Sequence, residues 1–147
     1  MQGPLLCRPC ANSYEVNETG KSPRATVARD VQIIVKTGGS EPLGRLTTQL
    51  ATLLTEVPMQ NLLLLSDLEE DIGFYRVHDV LKDIPAEERA AYPAFALYDQ
   101  QQALKAEGKD TRALNGWELD RYKNLPIKRK LWNAQQYTKK EERKKWF

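Results

Sequence analysis

Sustained hydrophobic patterning begins at Asp30. Val31-Gln32-Ile33-Ile34-Val35-Lys36-Thr37 is dense in β-branched residues and runs into Gly38-Gly39-Ser40, which predicts a strand over 31–37 followed by a turn. Ile33, Ile34 and Val35 are apolar in succession, so both faces should be covered, as in a central parallel strand. The period then changes. Leu43, Leu46, Leu50, Leu53, Leu54 and Val57 share one helical face. Ser40 is placed to cap that helix, Glu41 suits its first turn, Pro42 its first positions, and Pro58 stops it. The helix is expected over 42–56, with Gly44 inside it costing about 1 kcal/mol relative to Ala. Asn61 to Asp67, centred on Leu62–Leu65, is short and bounded by breakers, and so reads as a second buried strand over 61–67. Strand, helix, strand is one βαβ unit, and the sheet should start parallel.

From Asp67 to Ala91 there are eight acids and three bases, a net of −5. Asp67, Glu69, Glu70 and Asp71 crowd together without the spacing of a cation loop, and they read as a solvated turn after the strand. His78 lies next to Asp79, a neighbour expected to raise its pKa; a structural histidine is the simpler reading than a general base. A helix is expected from Tyr92 to Glu107, a break at Gly108-Lys109-Asp110, and a longer helical stretch from Asn115 to Tyr137. Trp117, Leu119, Tyr122 and Leu125 give that stretch an apolar face, Pro126 must kink or divide it, and Ile127, Leu131 and Ala134 continue the stripe.

Composition narrows the class without naming a chemistry. A chain of 147 residues, 41% hydrophobic and 29% charged, is one domain's length with enough apolar material for a core. The net charge is 22 − 20 = +2, which excludes a polycation or an acidic tail protein. The longest apolar run, Leu62–Leu65, is far below the roughly 18 residues of a membrane span, and the first ten residues lack a signal-peptide core. Residues 1–29 carry Pro4, Pro9, Gly20 and Pro23 without periodicity and read as a flexible tail. Inside it, Cys7-Arg8-Pro9-Cys10 is a single C-x-x-C; with no second pair and His78 the only histidine, a four-ligand zinc site is not expected. Asn17-Glu18-Thr19 fits a glycosylation acceptor. Residues 128–147 hold eight bases and two acids, net +6, interleaved with Trp132, Tyr137, Trp146 and Phe147. No stacking platform is evident, so the segment reads as a solvated helical face and no nucleic-acid partner is expected.

Taken in order, several segments resemble a known family. Val35-Lys36-Thr37-Gly38, the leucine-rich helix, and Leu65-Ser66-Asp67-Leu68-Glu69 are similar to the opening of a fungal fringe-like glycosyltransferase domain, the β1,3-glycosyltransferase group of glycosyltransferase family 31. Ile72-Gly73-Phe74-Tyr75-Arg76-Val77-His78-Asp79-Val80-Leu81 resembles the segment after the second strand there. Gly116-Trp117-Glu118-Leu119-Asp120-Arg121-Tyr122-Lys123-Asn124-Leu125-Pro126 resembles the helix before the catalytic strand, and Lys145-Trp146-Phe147 that strand's first residues.

The resemblance covers residues 30–147 and implies an α/β fold, a partial Rossmann-like nucleotide-sugar domain of the GT-A type. It implies a UDP-sugar donor, a glycan acceptor, Mn²⁺ or Mg²⁺ as cofactor, and a Golgi or secretory location. In the family the Trp-Phe strand runs into an Asp-x-Asp metal motif, and this sequence has none at a strand end. The expectation is therefore an inactive piece of the domain, truncated before that strand, with neither metal ligands nor a catalytic base assigned to any residue. The alternative is a non-catalytic α/β interaction module.

Ligands of open α/β sheets lie beyond the carboxyl ends of the strands, which here are Lys36-Thr37-Gly38 and Ser66-Asp67. The Thr37 hydroxyl and the Asp67 carboxylate are candidates for uridine or ribose and Lys36 for phosphate; equally, Thr37 and Ser66-Asp67 read as strand ends and turn caps. Lys123 matches a family lysine and is a candidate to approach the donor, against the plainer reading of an exposed lysine.

Overall fold

A computed structural model of the chain describes residues 31–40, 44–55 and 57–145. The expected tail, the Cys7–Cys10 pair, Asn17, the first residues of the first helix and Trp146-Phe147 lie outside the described residues. Among the described residues four strands form one sheet: β1 (Ile33–Lys36), β2 (Leu62–Ser66), β3 (Glu70–Ile72) and β4 (Tyr75–Asp79), in the order β1-β2-β4-β3. β1 pairs with β2 and β2 with β4 in parallel; β3 runs antiparallel to β4. Helices α1 (Arg45–Ala51), α2 (Ala86–Ala90), α3 (Phe95–Ala106) and α4 (Asp120–Tyr137) complete the described elements together with short 3₁₀ turns. The chain is α/β with a mixed, mostly parallel sheet, an arrangement compatible with a Rossmann-like fold.

The leucine run makes a central strand because its alternate residues face opposite layers. Leu64 packs with Val77 and, from α1, Leu46, Leu50 and Leu54. Leu65 packs on the other side with Leu81, Phe95, Tyr98, Leu119 and Ile127. A sheet covered on both faces explains why β1 and β2 read as continuous apolar runs. Leu65 is fully buried, and truncating such a side chain to Ala costs about 2–5 kcal/mol.

Five sequence expectations change. The first strand, expected to be central, lies at one edge of the sheet among the described strands. The first helix spans Arg45–Ala51 and relaxes into turns through Thr55, with Gly44 at its N-cap rather than inside it and no side-chain cap. The acidic stretch is not a solvated turn: Glu70–Ile72 and Tyr75–Asp79 pair as a hairpin. Its two-residue loop puts Gly73 at φ +59°, with a positive φ at the first turn position only, as a type II′ turn requires of glycine. In the long C-terminal stretch, Trp117 and Leu125 project into solvent, 82% and 78% exposed, whereas Leu119 and Ile127 face the core. Pro126 sits within α4. Finally, the pKa of His78 is lowered, first by burial and then by the nearby Lys130, Arg76 and Lys82 cations against Glu69. The Asp79 carboxylate, expected to raise it, is instead engaged by the Leu81 N–H, Tyr98 hydroxyl and Gln102 amide.

Candidate functional site

The parallel strands β1 and β2 end side by side, and the chain leaves β1 through Thr37-Gly38-Gly39-Ser40. This turn is fastened on two sides. The Gly39 N–H donates to Asp67 Oδ1 at 2.5 Å, and the Gly39 carbonyl accepts from Thr111 Oγ1 at 2.7 Å. A Cβ on Gly39 would stand 2.5 Å from Leu68 Cβ, so only glycine lets the turn lie against the start of the next loop. Asp67 Oδ1 also accepts from Ser66 Oγ at 3.1 Å, and Ser66 Oγ accepts from the Leu68 N–H at 3.3 Å.

Helix α4 approaches from the opposite side of the sequence and brings Lys123 to this point. Its ammonium donates to the Thr37 carbonyl at 2.8 Å and forms ion pairs with Asp67 Oδ1 at 3.6 Å and Asp120 Oδ1 at 3.5 Å. Asp120 Oδ2 in turn accepts from Lys36 Nζ at 2.6 Å, and Lys36 also donates to Asn124 Oδ1 at 3.3 Å. Burial alone would raise the pKa of Asp120; the bonded Lys36 and adjacent Lys123 ammoniums outweigh it and hold the carboxyl below the ordinary range.

The four residues singled out in the sequence, Lys36, Thr37, Asp67 and Lys123, thus converge, with two different placements. Lys36 and Thr37 are open to solvent in part. Asp67 and Lys123 are sealed, 0% and 1% exposed, which corrects the reading of Lys123 as a surface lysine and removes the Asp67 carboxylate from direct contact with a ligand on the surface. They hold the turn from beneath. Among the described residues Asp67 Oδ2 is buried with no hydrogen-bond partner, and so are both amide atoms of Gln101. Gln101 Nε2 lies 3.5 Å from where a Cβ on Gly116 would stand, and Ser40 Oγ lies 2.7 Å from the same point. Ser40, Gln101, Thr111 and Asp120 were not found from the sequence: Ser40 read as a helix cap, and the other three carry no local signal of a role at strand ends far from them in the chain.

The Thr37 and Ser40 hydroxyls make no hydrogen bond to a described residue, and both residues are partly exposed. With the Lys36 ammonium they offer hydroxyl and cationic donors, the groups that bind phosphate or ribose oxygens. Divalent metal is another matter. Every carboxylate here is beside an ammonium: Asp67 beside Lys123, Asp120 beside both Lys36 and Lys123. A hard cation needs several free oxygen ligands, and two adjacent ammoniums oppose it. The side chains at this turn do not fit Mn²⁺ or Mg²⁺, and among the described residues no group of three or more His, Cys, Asp or Glu side chains is placed to hold a metal. No helix of the described residues is long and apolar enough to cross a membrane.

Comparison with known proteins returned no matching family model, no matching curated protein and no matching solved structure.

Proposed function

We propose that this chain binds the nucleotide of a UDP-sugar against the carboxyl ends of β1 and β2, as the donor side of a GT-A type, fringe-like glycosyltransferase domain. One observation carries the reading. Lys36-Thr37 and Asp67, taken from the two strand ends, and Lys123, taken from the family resemblance, meet at one strand-end turn. In this account Lys36 and the Thr37 and Ser40 hydroxyls face the ligand, and Asp67, Thr111 and Lys123 fix the turn that presents them. The proposal concerns binding. Transfer needs a group to offset charge on the leaving diphosphate and a base for the acceptor hydroxyl, and neither role is assigned to a residue here. Glycan acceptor and Golgi location belong to the resemblance and form part of the same proposal.

Calorimetric titration of the chain with UDP, UDP-glucose and UDP-galactose, with Mn²⁺ and again with EDTA, tests it. The expected result is saturable binding that EDTA leaves unchanged, weakened at least about tenfold by Lys36→Ala, a loss near 1.4 kcal/mol. Absence of saturable binding by all three ligands, or equal binding by Lys36→Ala, would sink the reading.

A further inference from the structure

An open groove of about 1080 Å³ lies between the segment after β4 and helix α4, and contains none of the residues of the strand-end turn. Its floor is apolar and aromatic: Ile84, Tyr92, Phe95, Tyr122 and Pro126. The rings are packed against each other, Tyr92 to Tyr122 at 5.5 Å and Phe95 to Tyr122 at 5.1 Å between centroids. Tyr92 is nonetheless 51% exposed. Because Pro126 has no N–H, the Tyr122 carbonyl is left without its intrahelical donor.

The two walls carry opposite charge. One presents Asp83 and Glu88, the other Arg121, Arg129 and Lys130. Asp83, Glu88, Arg129 and Lys130 make no ion pair with any described residue; Arg121 lies over the Tyr122 ring at 4.8 Å. On the α4 wall Arg121, Leu125, Arg129 and Asn133 repeat every four residues, which makes one continuous ridge about 18 Å long at 1.5 Å per residue. Leu125, on that ridge, is 78% exposed.

We propose that this groove docks an amphipathic helix of a protein partner, about three to four turns long. The partner helix lays an apolar stripe on the aromatic floor, sets basic residues along the Asp83–Glu88 wall and acidic residues along the Arg121–Arg129–Lys130 wall. Charge complementarity fixes this choice. A partner of one sign would leave one wall facing like charge, whereas a helix with oppositely charged flanks satisfies both and also fixes its own direction. The i, i+4 ridge is the surface that packs against another helix.

Selection of a displayed library of random 16-residue peptides on the full chain, with each enriched peptide then measured against Leu125→Glu, tests this. Leu125 is exposed, so the variant should fold, and its circular dichroism and urea midpoint check that. Enriched peptides are expected to share an apolar stripe at i, i+3/i+4, i+7 with Lys or Arg on one flank and Asp or Glu on the other. The best synthetic peptide should bind at least about tenfold more weakly to Arg129→Glu/Lys130→Glu, and exchanging its acidic flank for a basic one should restore binding to that variant. No enrichment, a single-sign consensus, or equal binding to Leu125→Glu overturns the proposal. So does sedimentation showing a dimer of the chain that Leu125→Glu dissolves, which would give the groove to a second copy.

Discussion

Replacing Lys123 with Met keeps the length of the side chain and removes its charge from a site that is 1% exposed. Three groups lose a partner. The Thr37 carbonyl loses its 2.8 Å donor. Asp120 loses one of two ammoniums and keeps Lys36 at 2.6 Å. Asp67 is hurt most: it keeps the Gly39 N–H and Ser66 hydroxyl on Oδ1, its Oδ2 has no partner among the described residues, and its charge is left fully buried without a cation. Breaking a buried pair from one side costs about 3–5 kcal/mol, a large share of the ~5–15 kcal/mol that holds a typical domain. At roughly 2–4 °C per kcal/mol for a chain of this size, the midpoint of thermal unfolding should fall by about 6–20 °C. Neutralising the orphaned partner should reverse part of the loss: Lys123→Met/Asp67→Asn is expected to recover about 1–3 kcal/mol relative to Lys123→Met. Urea unfolding at pH 7, followed by tryptophan fluorescence and circular dichroism with m-values compared, measures both. A loss below about 1 kcal/mol for the single variant, or no recovery in the double, refutes the reasoning, because the ammonium would then not be compensating a buried carboxylate.

Gly39→Ala, whose Cβ would meet Leu68 Cβ at 2.5 Å, should destabilise the chain by about 1–3 kcal/mol in the same urea assay; a neutral result would show that the turn and the 67–68 loop separate freely. The Tyr98 hydroxyl has its pKa pushed well above that of a free phenol by burial and by the Asp79 carboxylate it donates to at 2.7 Å. A group raised in the folded state contributes stability that is complete below the unfolded pKa, near 10, and is lost as pH climbs toward the folded value. Absorbance titration compared with Tyr98→Phe should therefore show a phenol that ionises only on alkaline unfolding and is missing from the variant. His78, lowered by burial and surrounding cations, favours its neutral form in the fold, so it should titrate below 6.5 by NMR and stability should fall as pH drops through that region; a value above 6.5 would reinstate Asp79 as its dominant neighbour.

The two parallel strands were readable because their residues face apolar layers on both sides, so burial leaves an uninterrupted run of Ile, Val and Leu. The hairpin was not read, although Tyr75-Arg76-Val77-His78-Asp79 alternates with the strand period. The charge of Glu69, Glu70 and Asp71 masked it, yet an edge strand such as β3 keeps one face in water and tolerates acids there. Trp117 and Leu125 sit at helical spacing with Leu119 and Tyr122, and periodicity could not show which arc of the 116–137 stretch would meet the sheet; packing with Leu65 and Phe95 decides that. At the strand-end turn, Lys36, Thr37 and Asp67 were legible from the rule that ligands gather beyond carboxyl ends. Lys123 came only from the family resemblance, and its burial had no sequence signal, because the groups it meets, Asp67 and the Thr37 carbonyl, come from across the fold. The partners Thr111 and Asp120 are likewise fixed by distance in space: Thr111 reaches Gly39 from 72 positions away and Asp120 reaches Lys36 from 84.

The central claim is a location as much as an affinity, so the most direct measurement is an ¹⁵N-resolved NMR titration of the assigned chain with UDP in EDTA. The account predicts saturable shifts concentrated on the amides of Lys36 to Ser40, with smaller ones at Asp120 and Asn124 and none in Tyr92 or Arg129 of the separate groove. Shifts confined to the groove, or no saturable shift anywhere, would contradict it.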